Sequence, residues 1–264
     1  MSDIRMADVS EWQSNVDAPA YLNAGHKCII ARAYSGYRAD KTFPGRRDYL
    51  RKYAFTGIGY YCYLASDVDP KTQANGFINA VGQLKDNEWA ILDVEEGSGS
   101  QTSRAQAWFD VVDKWAGFQS MLYASLYFFR DQLSGVGHWG SRPIWIAAYS
   151  SSEPSDHHDL WQFSDSYHFD GIGSCDGNLA HKTADDFIKQ VRGGQAPTPS
   201  PTPEPITEED MIAAVVKKNG ALEVFVEKDD GRVYHTWQQA ENGKWYSADG
   251  GKTIGWQAMG KPGG

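Results

Sequence analysis

The residues best placed to do chemistry are the acids that close Trp89-Ala-Ile-Leu-Asp-Val-Glu-Glu96. The apolar run from Trp89 to Leu92 predicts a buried strand that leads straight into three carboxyl groups. Successive strand side chains alternate faces, so Asp93 and Glu95 point one way and Val94 and Glu96 the other. With a rise of about 3.3 Å per residue, the Cβ atoms of Asp93 and Glu95 stand roughly 6–7 Å apart. Two carboxyls that close, against apolar surroundings, cannot both ionise freely, and one is expected to have a raised pKa. A carboxylic acid still protonated near neutrality is what general acid catalysis requires. Gly97-Ser98-Gly99 follows at once, a loop that opens the site to a ligand. Read alone, the same cluster also fits a solvated acidic strand end.

The elements that must position these acids alternate along the chain. Ile4 to Ser10 reads as a strand with Asp8 and Ser10 on one face. Cys28 to Tyr34, Gly57 to Leu64, the acidic strand, and a Tyr-rich stretch from Met121 to Phe129 are the next four. Between them lie a polar helical stretch ending at Gly25, a helix around Arg47 to Phe55, and two apolar stripes at helical spacing. One stripe is Ala74, Phe77, Ile78, Val81 and Leu84; the other is Ala105, Trp108, Phe109, Val112 and Trp115. Pro143 to Tyr149, Leu160 to Ser164 and Gly173 to Leu179 are further strands, with no helical period between them. Strand–helix alternation implies a parallel sheet with helices outside. Eight strands with helices after the first five predict an α/β fold, a TIM-like (β/α)5(β)3 barrel over residues 1–192. Barrel sites lie at the C-terminal ends of strands, where Asp8, Asp93, Glu95 and Tyr149 fall.

A chain of 264 residues has room for a second, smaller body. Residues 193–205, Gly-Gly-Gln-Ala-Pro-Thr-Pro-Ser-Pro-Thr-Pro-Glu-Pro, read as a semi-rigid linker in polyproline II, spanning roughly 35 Å. Residues 206–264 are too few for an ordinary independent core and read as a small all-β module. Asp230-Gly231 and Asn242-Gly243 between alternating runs signal hairpins.

Net charge of −9 argues against nucleic acid and against docking on anionic surfaces. No apolar run of about 18 residues is present, so no membrane insertion is expected. The start, Met-Ser-Asp-Ile-Arg, has no apolar signal-peptide core. Cys28, Cys62 and Cys175 are odd in number and sit in or near apolar runs, which predicts reduced, buried thiols. Ten Trp, fourteen Tyr and eleven Phe exceed what a core alone needs and suit stacking on sugar rings. Tyr34, Tyr61, Tyr63, Tyr149 and Trp161 are the candidates, though half of such rings belong to cores. His157-His158 alternate faces and lack a third ligand, so neither a metal nor any other cofactor is expected. Gly57-Ile-Gly59 and Gly171-Ile-Gly173 are nucleotide-motif fragments with no helix after them and are discounted.

Taken in order, Asp8-Val-Ser10 with Trp12-Gln13, Tyr60 to Ala65, Asp93-Val-Glu95, Trp161-Gln-Phe163 and Asp176-Gly-Asn178 resemble the glycoside hydrolase family 25 lysozymes. The resemblance covers residues 1–192. It implies a muramidase that cleaves the β-1,4 bond between N-acetylmuramic acid and N-acetylglucosamine in bacterial peptidoglycan. Glu95 matches the general acid and Asp93 the acid beside it. Asp8 and Asp176 match two further active-site carboxylates, and Gln162 and Asn178 fall in motifs that bind substrate. Cys62 departs from the His or Ser common in the family's Tyr-x-Tyr strand. With the acids i and i+2 on one strand, a reaction assisted by the substrate's own 2-acetamido group is expected, and the anomeric outcome stays open. A non-catalytic glycan-binding protein on the same fold and another hexosaminidase are the alternatives.

The tail resembles one blade of the lectin-like β-propeller repeats of secreted bacterial proteins, with Tyr234, Trp237, Trp245 and Trp256 as carbohydrate-binding candidates. One blade has two open edges, so tails of several chains are expected to associate into a homo-oligomer. A small accessory sheet packed on the barrel is the alternative. Together these features resemble a phage endolysin held in the host bacterial cytoplasm until lysis; a bacterial autolysin exported by another route fits the same residues.

Overall fold

The computed structural model describes residues 3–193 and, beyond them, four strands, Met211–Val216, Leu222–Glu227, Val233–Trp237 and Gln257–Gly260. The chain divides into two compact units, Met1–Ser200 and Pro201–Gly264. The first runs β1 (Ile4–Val9), α1 (Ala18–Asn23), β2 (Cys28–Ser35), β3 (Arg38–Ala39), α2 (Phe43–Leu50), β4 (Gly57–Tyr63) and α3 (Pro70–Val81). It continues through β5 (Glu88–Asp93), α4 (Thr102–Ala116), β6 (Met121–Ser125), α5 (Leu126–Gln132), β7 (Ile144–Ala147), β8 (Leu160–Phe169), β9 (Gly173–Ala180) and α6 (Ala184–Val191).

Around the sheet the order is β1-β9-β8-β7-β6-β5-β4-β2-β3, and β1 pairs again with β2, which closes eight strands into a barrel. The short β3 is an arm folded back on β2. Helices follow the first five barrel strands and not the next two, as a (β/α)5(β)3 barrel requires. The expectation of a wholly parallel sheet fails at β9, which is antiparallel to both β8 and β1. A parallel return needs a crossover of a dozen or more residues. Only residues 170–172 join β8 to β9, so a hairpin is the one connection available.

The stretch from Met121 to Phe129 is likewise not one strand. β6 ends at Ser125, whose hydroxyl accepts a hydrogen bond from the Phe128 backbone N–H and caps α5. The helix α6 went unread in the sequence, although Thr183 and Asp186 form a capping pair there and Ala184, Phe187 and Val191 keep a helical stripe.

Strand alternation sorts the core into two layers. Ala7, Ile29, Tyr60, Leu92 and Ile146 face outward onto the helices. Met6, Ile30, Trp89, Ile91, Met121 and Trp145 fill the barrel, and Phe187 and Val191 of α6 pack against them. Trp89 is the bulkiest of the inner group, and β4 makes room for it with glycines. A Cβ on Gly59 would lie 2.7 Å from the indole of Trp89, and one on Gly57 would meet Ile188 at 2.2 Å. The discounted Gly-x-Gly fragment is therefore a packing device.

In the second unit the remaining strands, β10 (Met211–Val216), β11 (Leu222–Glu227), β12 (Val233–Trp237) and β13 (Gln257–Gly260), form an antiparallel sheet in chain order. Tyr234 and Trp237 lie on β12, opposite Val226 and Glu223 of β11. Trp245, Trp256, the Asn242-Gly243 turn and linker residues 194–205 lie outside the described residues.

Candidate active site

Four acids meet at the mouth of the barrel. Asp8 comes from the C-terminal end of β1, Asp93 from the end of β5, and Glu95 from two residues further on. Asp176 arrives from the opposite direction: β9 is antiparallel, so its early residues reach the same rim, and Asp176 stands directly opposite Asp8 in the β1–β9 register. The rule of strand C-termini holds for the parallel strands, and β9 meets it by running backwards.

The acids form two pairs. Asp93 is buried beneath the more exposed Glu95, and the two carboxyls lie within hydrogen-bonding reach of each other. Burial, then the charge of Glu95, pushes Asp93 well above the usual carboxylate range. Burial raises Glu95 too, while the hydrogen bond from Asp93 opposes it. In the second pair Asp176 holds the proton; burial first and the charge of Asp8 second push it up to about 8. Asp8 is raised by burial, and hydrogen bonds from Asn178, Gln162 and Asp176 lower it.

A polar network fixes Asp8. Gln162 Nε2 donates to Asp8 Oδ2 at 3.0 Å and Asn178 Nδ2 donates to the same oxygen at 2.8 Å. Both amide orientations are set by their other ends. Tyr123 and Tyr149 hydroxyls donate to Gln162 Oε1 at 2.9 and 2.8 Å, and the Trp145 indole donates to Asn178 Oδ1 at 2.8 Å. Tyr123 and Trp145 carry no site role in the sequence reading, yet they set the geometry of its acids.

The aromatic candidates divide. Tyr149 is exposed on the rim and lines a cavity of about 630 Å³ together with Glu95 and Tyr123. Tyr61 is half-buried on the inner face of β4, within electrostatic reach of Asp8 and Asp93. The Tyr63 hydroxyl donates to Glu96 at 3.0 Å, so this acid, which the sequence leaves pointing away, braces a neighbouring ring. Trp161 is buried and donates its indole N–H to the Ala148 carbonyl at 2.8 Å, supporting the segment that carries Tyr149. Tyr34 does not join the site. A register shift between Arg32 and Tyr34 turns the ring outward onto α3, where it covers Gly76.

Sequence reasoning named Trp12 only within the family motif, with no site role, and passed over Tyr37 and Tyr127. With Tyr149 these three are the exposed large aromatics of the described residues, and each follows the C-terminal end of a barrel strand. Among the described residues no group of His, Cys, Asp and Glu is arranged to hold a metal ion. All three cysteines are buried and unpaired, and burial pushes Cys28 and Cys175 each up to about 12. Of the histidine pair, His158 bonds the Asp156 carbonyl and Glu153 Oε1.

A buried carboxyl pair thus lies beside rim aromatics at the mouth of an eight-stranded barrel. The chain belongs to the glycosyl hydrolases family 25, whose family model matches residues 7–172. Its fold is similar to that of the CTP1L endolysin, at 26% identity and a TM-score of 0.60 over 73% of this chain and 70% of that one. A family 25 glycosyl hydrolase from Bacillus anthracis matches with 20% identity and a TM-score of 0.64, covering 70% of this chain and 92% of that one. The family GH25 lysozyme from Aspergillus fumigatus gives 22% and 0.60, covering 73% and 100%. Among curated sequences, the uncharacterized protein YegX of Escherichia coli O157:H7 is 27% identical over 199 residues, 70% of this chain and 72% of that protein.

Proposed function

We propose that the barrel is an N-acetylmuramidase, a peptidoglycan hydrolase that cuts the β-1,4 bond between N-acetylmuramic acid and N-acetylglucosamine. The observation that carries this reading is the pairing of buried Asp93 with Glu95, the member that faces the cavity. Glycoside cleavage needs an acid for the leaving oxygen and negative charge for the oxocarbenium-like ring. A singly protonated pair supplies both in turn. In the reacting state Glu95 carries the pair's proton and gives it to the glycosidic oxygen as the bond from that oxygen to the anomeric carbon breaks, so both carboxylates are left ionised beside the developing positive charge. Asp93 then accepts the N–H of the 2-acetamido group, whose oxygen closes on the anomeric carbon. Asp8 and Asp176, tuned by the amides of Gln162 and Asn178, hold the sugar on the other side.

Purified peptidoglycan, digested by the wild type and by Glu95→Gln and analysed by mass spectrometry, tests the assignment. New N-acetylmuramic acid reducing ends, absent with the variant, are the expected result. N-acetylglucosamine ends would overturn the bond assignment in favour of another hexosaminidase. No new ends from either protein would leave a non-catalytic glycan-binding module. A glycosyl adduct trapped on Asp93 would count against the acetamido route.

Around this activity the chain reads as an endolysin of phage type, with a barrel over residues 1–192, a Pro-rich linker at 193–205 and a wall-binding module at 206–264. It would wait in the host cytoplasm until lysis. Among the described residues β10 and β13 are the outer strands of their sheet, which supports association of several tails on the wall. Light scattering that finds only monomer at micromolar concentration would remove the association.

A further inference from the structure

The cavity beside Glu95 does not end at the catalytic acids. It runs between the first turns of α5 and the loop after β7, past Ser125, Tyr127 and Tyr149, to Arg130 and Asp156. Its volume of about 630 Å³ suits a ligand larger than one sugar ring, within the range of roughly 300–1,000 Å³ for small-molecule sites. Arg130 is the one cation among the residues that line it. Glu95 lines its inner end, with Asp8, Asp93 and Asp176 within electrostatic reach of that acid. Glu95 disfavours an anionic group at the inner end of the cleft, while Arg130, paired with Asp156, offers it a cation at the other.

The guanidinium is held in place. Arg130 donates to Asp156 Oδ2 at 2.7 Å, and the pair remains partly open to solvent. That uses one of the five N–H donors of the side chain, and no other hydrogen bond to Arg130 is made among the described residues. The Asp156 segment is in turn braced. His158 Nδ1 bonds the Asp156 carbonyl at 2.7 Å and its Nε2 bonds Glu153 at 2.8 Å. Glu153 also meets His181, which reaches Asp3 at 3.0 Å, so the loop is tied to the N-terminal and C-terminal strands of the barrel. A solvated surface pair is rarely supported in this way; a receptor for a fixed charge needs such support.

We infer that Arg130 is a carboxylate receptor for the peptide stem of the glycan. The inference rests on the muramidase reading. Muramic acid carries its stem on a 3-O-lactyl group, and stem peptides bear free carboxylates. A muramoyl ring seated against Glu95 projects that stem away from the glycan axis, and the cleft supplies a channel with a planar, bidentate carboxylate partner at its far end. The serine hydroxyls along it, Ser125, Ser150 and Ser152, suit the amides of the stem.

The full chain and its Arg130→Gln and Arg130→Lys variants are assayed on two substrates: peptidoglycan carrying stems, and the same glycan strands stripped of stems by an amidase. Arg130→Gln is expected to raise KM about tenfold on stem-bearing substrate with kcat little changed, and to leave the stripped strands unaffected. Lysine restores part of the loss. N-acetylmuramoyl-L-alanyl-D-glutamate, titrated calorimetrically, is expected to bind the wild type more tightly than Arg130→Gln, while uncharged chitotriose binds both alike. An equal loss on both substrates would make Arg130 a structural residue, and no loss on either would make the pair surface decoration; both outcomes overturn the inference. If the wild type cut neither substrate, the muramidase reading would fall, and the titration would still decide the carboxylate receptor.

Discussion

Asp8 and Asp176 stand directly opposite each other in the antiparallel ladder of β1 and β9, two acids where like charges repel. The pair is tolerated because Asp176 keeps a proton, its pKa pushed up to about 8, while Asp8 takes hydrogen bonds from Gln162 and Asn178. The folded state therefore binds a proton that the unfolded chain releases near pH 4. A pKa raised on folding gives stability that is complete below the unfolded value and is lost as pH rises through the folded one. The barrel is expected to lose stability between about pH 4 and pH 8 from this pair. Asp176→Asn, which donates to Asp8 at any pH, flattens that slope and gains on the order of 1 kcal/mol at pH 8, after allowance for the pair's partial solvent screening. Urea denaturation followed by tryptophan fluorescence from pH 5 to 9 measures both slopes; parallel curves for the two proteins would refute the sharing.

The Asp93–Glu95 pair predicts a shift in a rate profile. In the wild type the last proton leaves against the charge of a neighbouring carboxylate, which lifts the upper limb of the pH–rate curve. Asp93→Asn removes that charge and leaves burial and the charge of Asp8 to raise Glu95. The upper limb of kcat/KM is expected to move to lower pH, with kcat down about a hundredfold from loss of one catalytic group. A variant whose upper limb stays in place would place the governing ionisation elsewhere.

Tyr34 and Tyr149 look equivalent in the sequence, each an aromatic at the end of a strand, and the structure separates them. Tyr34→Ala is expected to cost about 3 kcal/mol of stability through the void left over Gly76, with kcat/KM per folded molecule unchanged. Tyr149→Phe, which deletes one donor to Gln162, is expected to leave stability within about 1 kcal/mol and lower kcat/KM severalfold. Thermal melts and initial rates on the same preparations distinguish the two; the reverse pattern would exchange their roles.

The difference between these two tyrosines marks how far the sequence can be read. Strand and helix periods, and acids placed at strand ends, are local patterns, and they predicted the barrel with Asp8, Asp93 and Glu95 at one mouth, whereas Asp176, inside its strand, entered only through the family resemblance. A bulge at Arg32–Tyr34 is set by pairing with β4 and leaves no trace in β2 alone. The reversal of β9 was legible, since the eight residues between Ser164 and Gly173 are too few for a parallel crossover, and so was α6 from its capping pair. The donors that orient Gln162 and Asn178 were not, because Trp145 and Tyr123 reach them across strands far apart in the chain.

Glu88 lies at the start of the strand that ends in Asp93, and it tests whether the two ends of β5 act separately. Its side chain is fully buried and accepts four hydrogen bonds: two from Arg51 at 2.7 Å each, one from the Tyr60 hydroxyl and one from the Lys85 backbone, each at 2.8 Å. A buried carboxylate with every lone pair engaged adds little over an apolar replacement, but removing it alone strands its partners. Glu88→Ala leaves Arg51 and Tyr60 facing a void and is expected to cost about 3–5 kcal/mol, toward the lower end because Arg51 has an edge in solvent. Replacing both, as Glu88→Leu with Arg51→Met, is expected to recover most of the loss. At temperatures where the variants stay folded, their kcat/KM should equal that of the wild type, since the ion pair and the catalytic acids occupy opposite ends of the barrel. A fall in kcat/KM without a fall in folded fraction would mean that the outer layer at the base of β5 helps to set the position of Asp93.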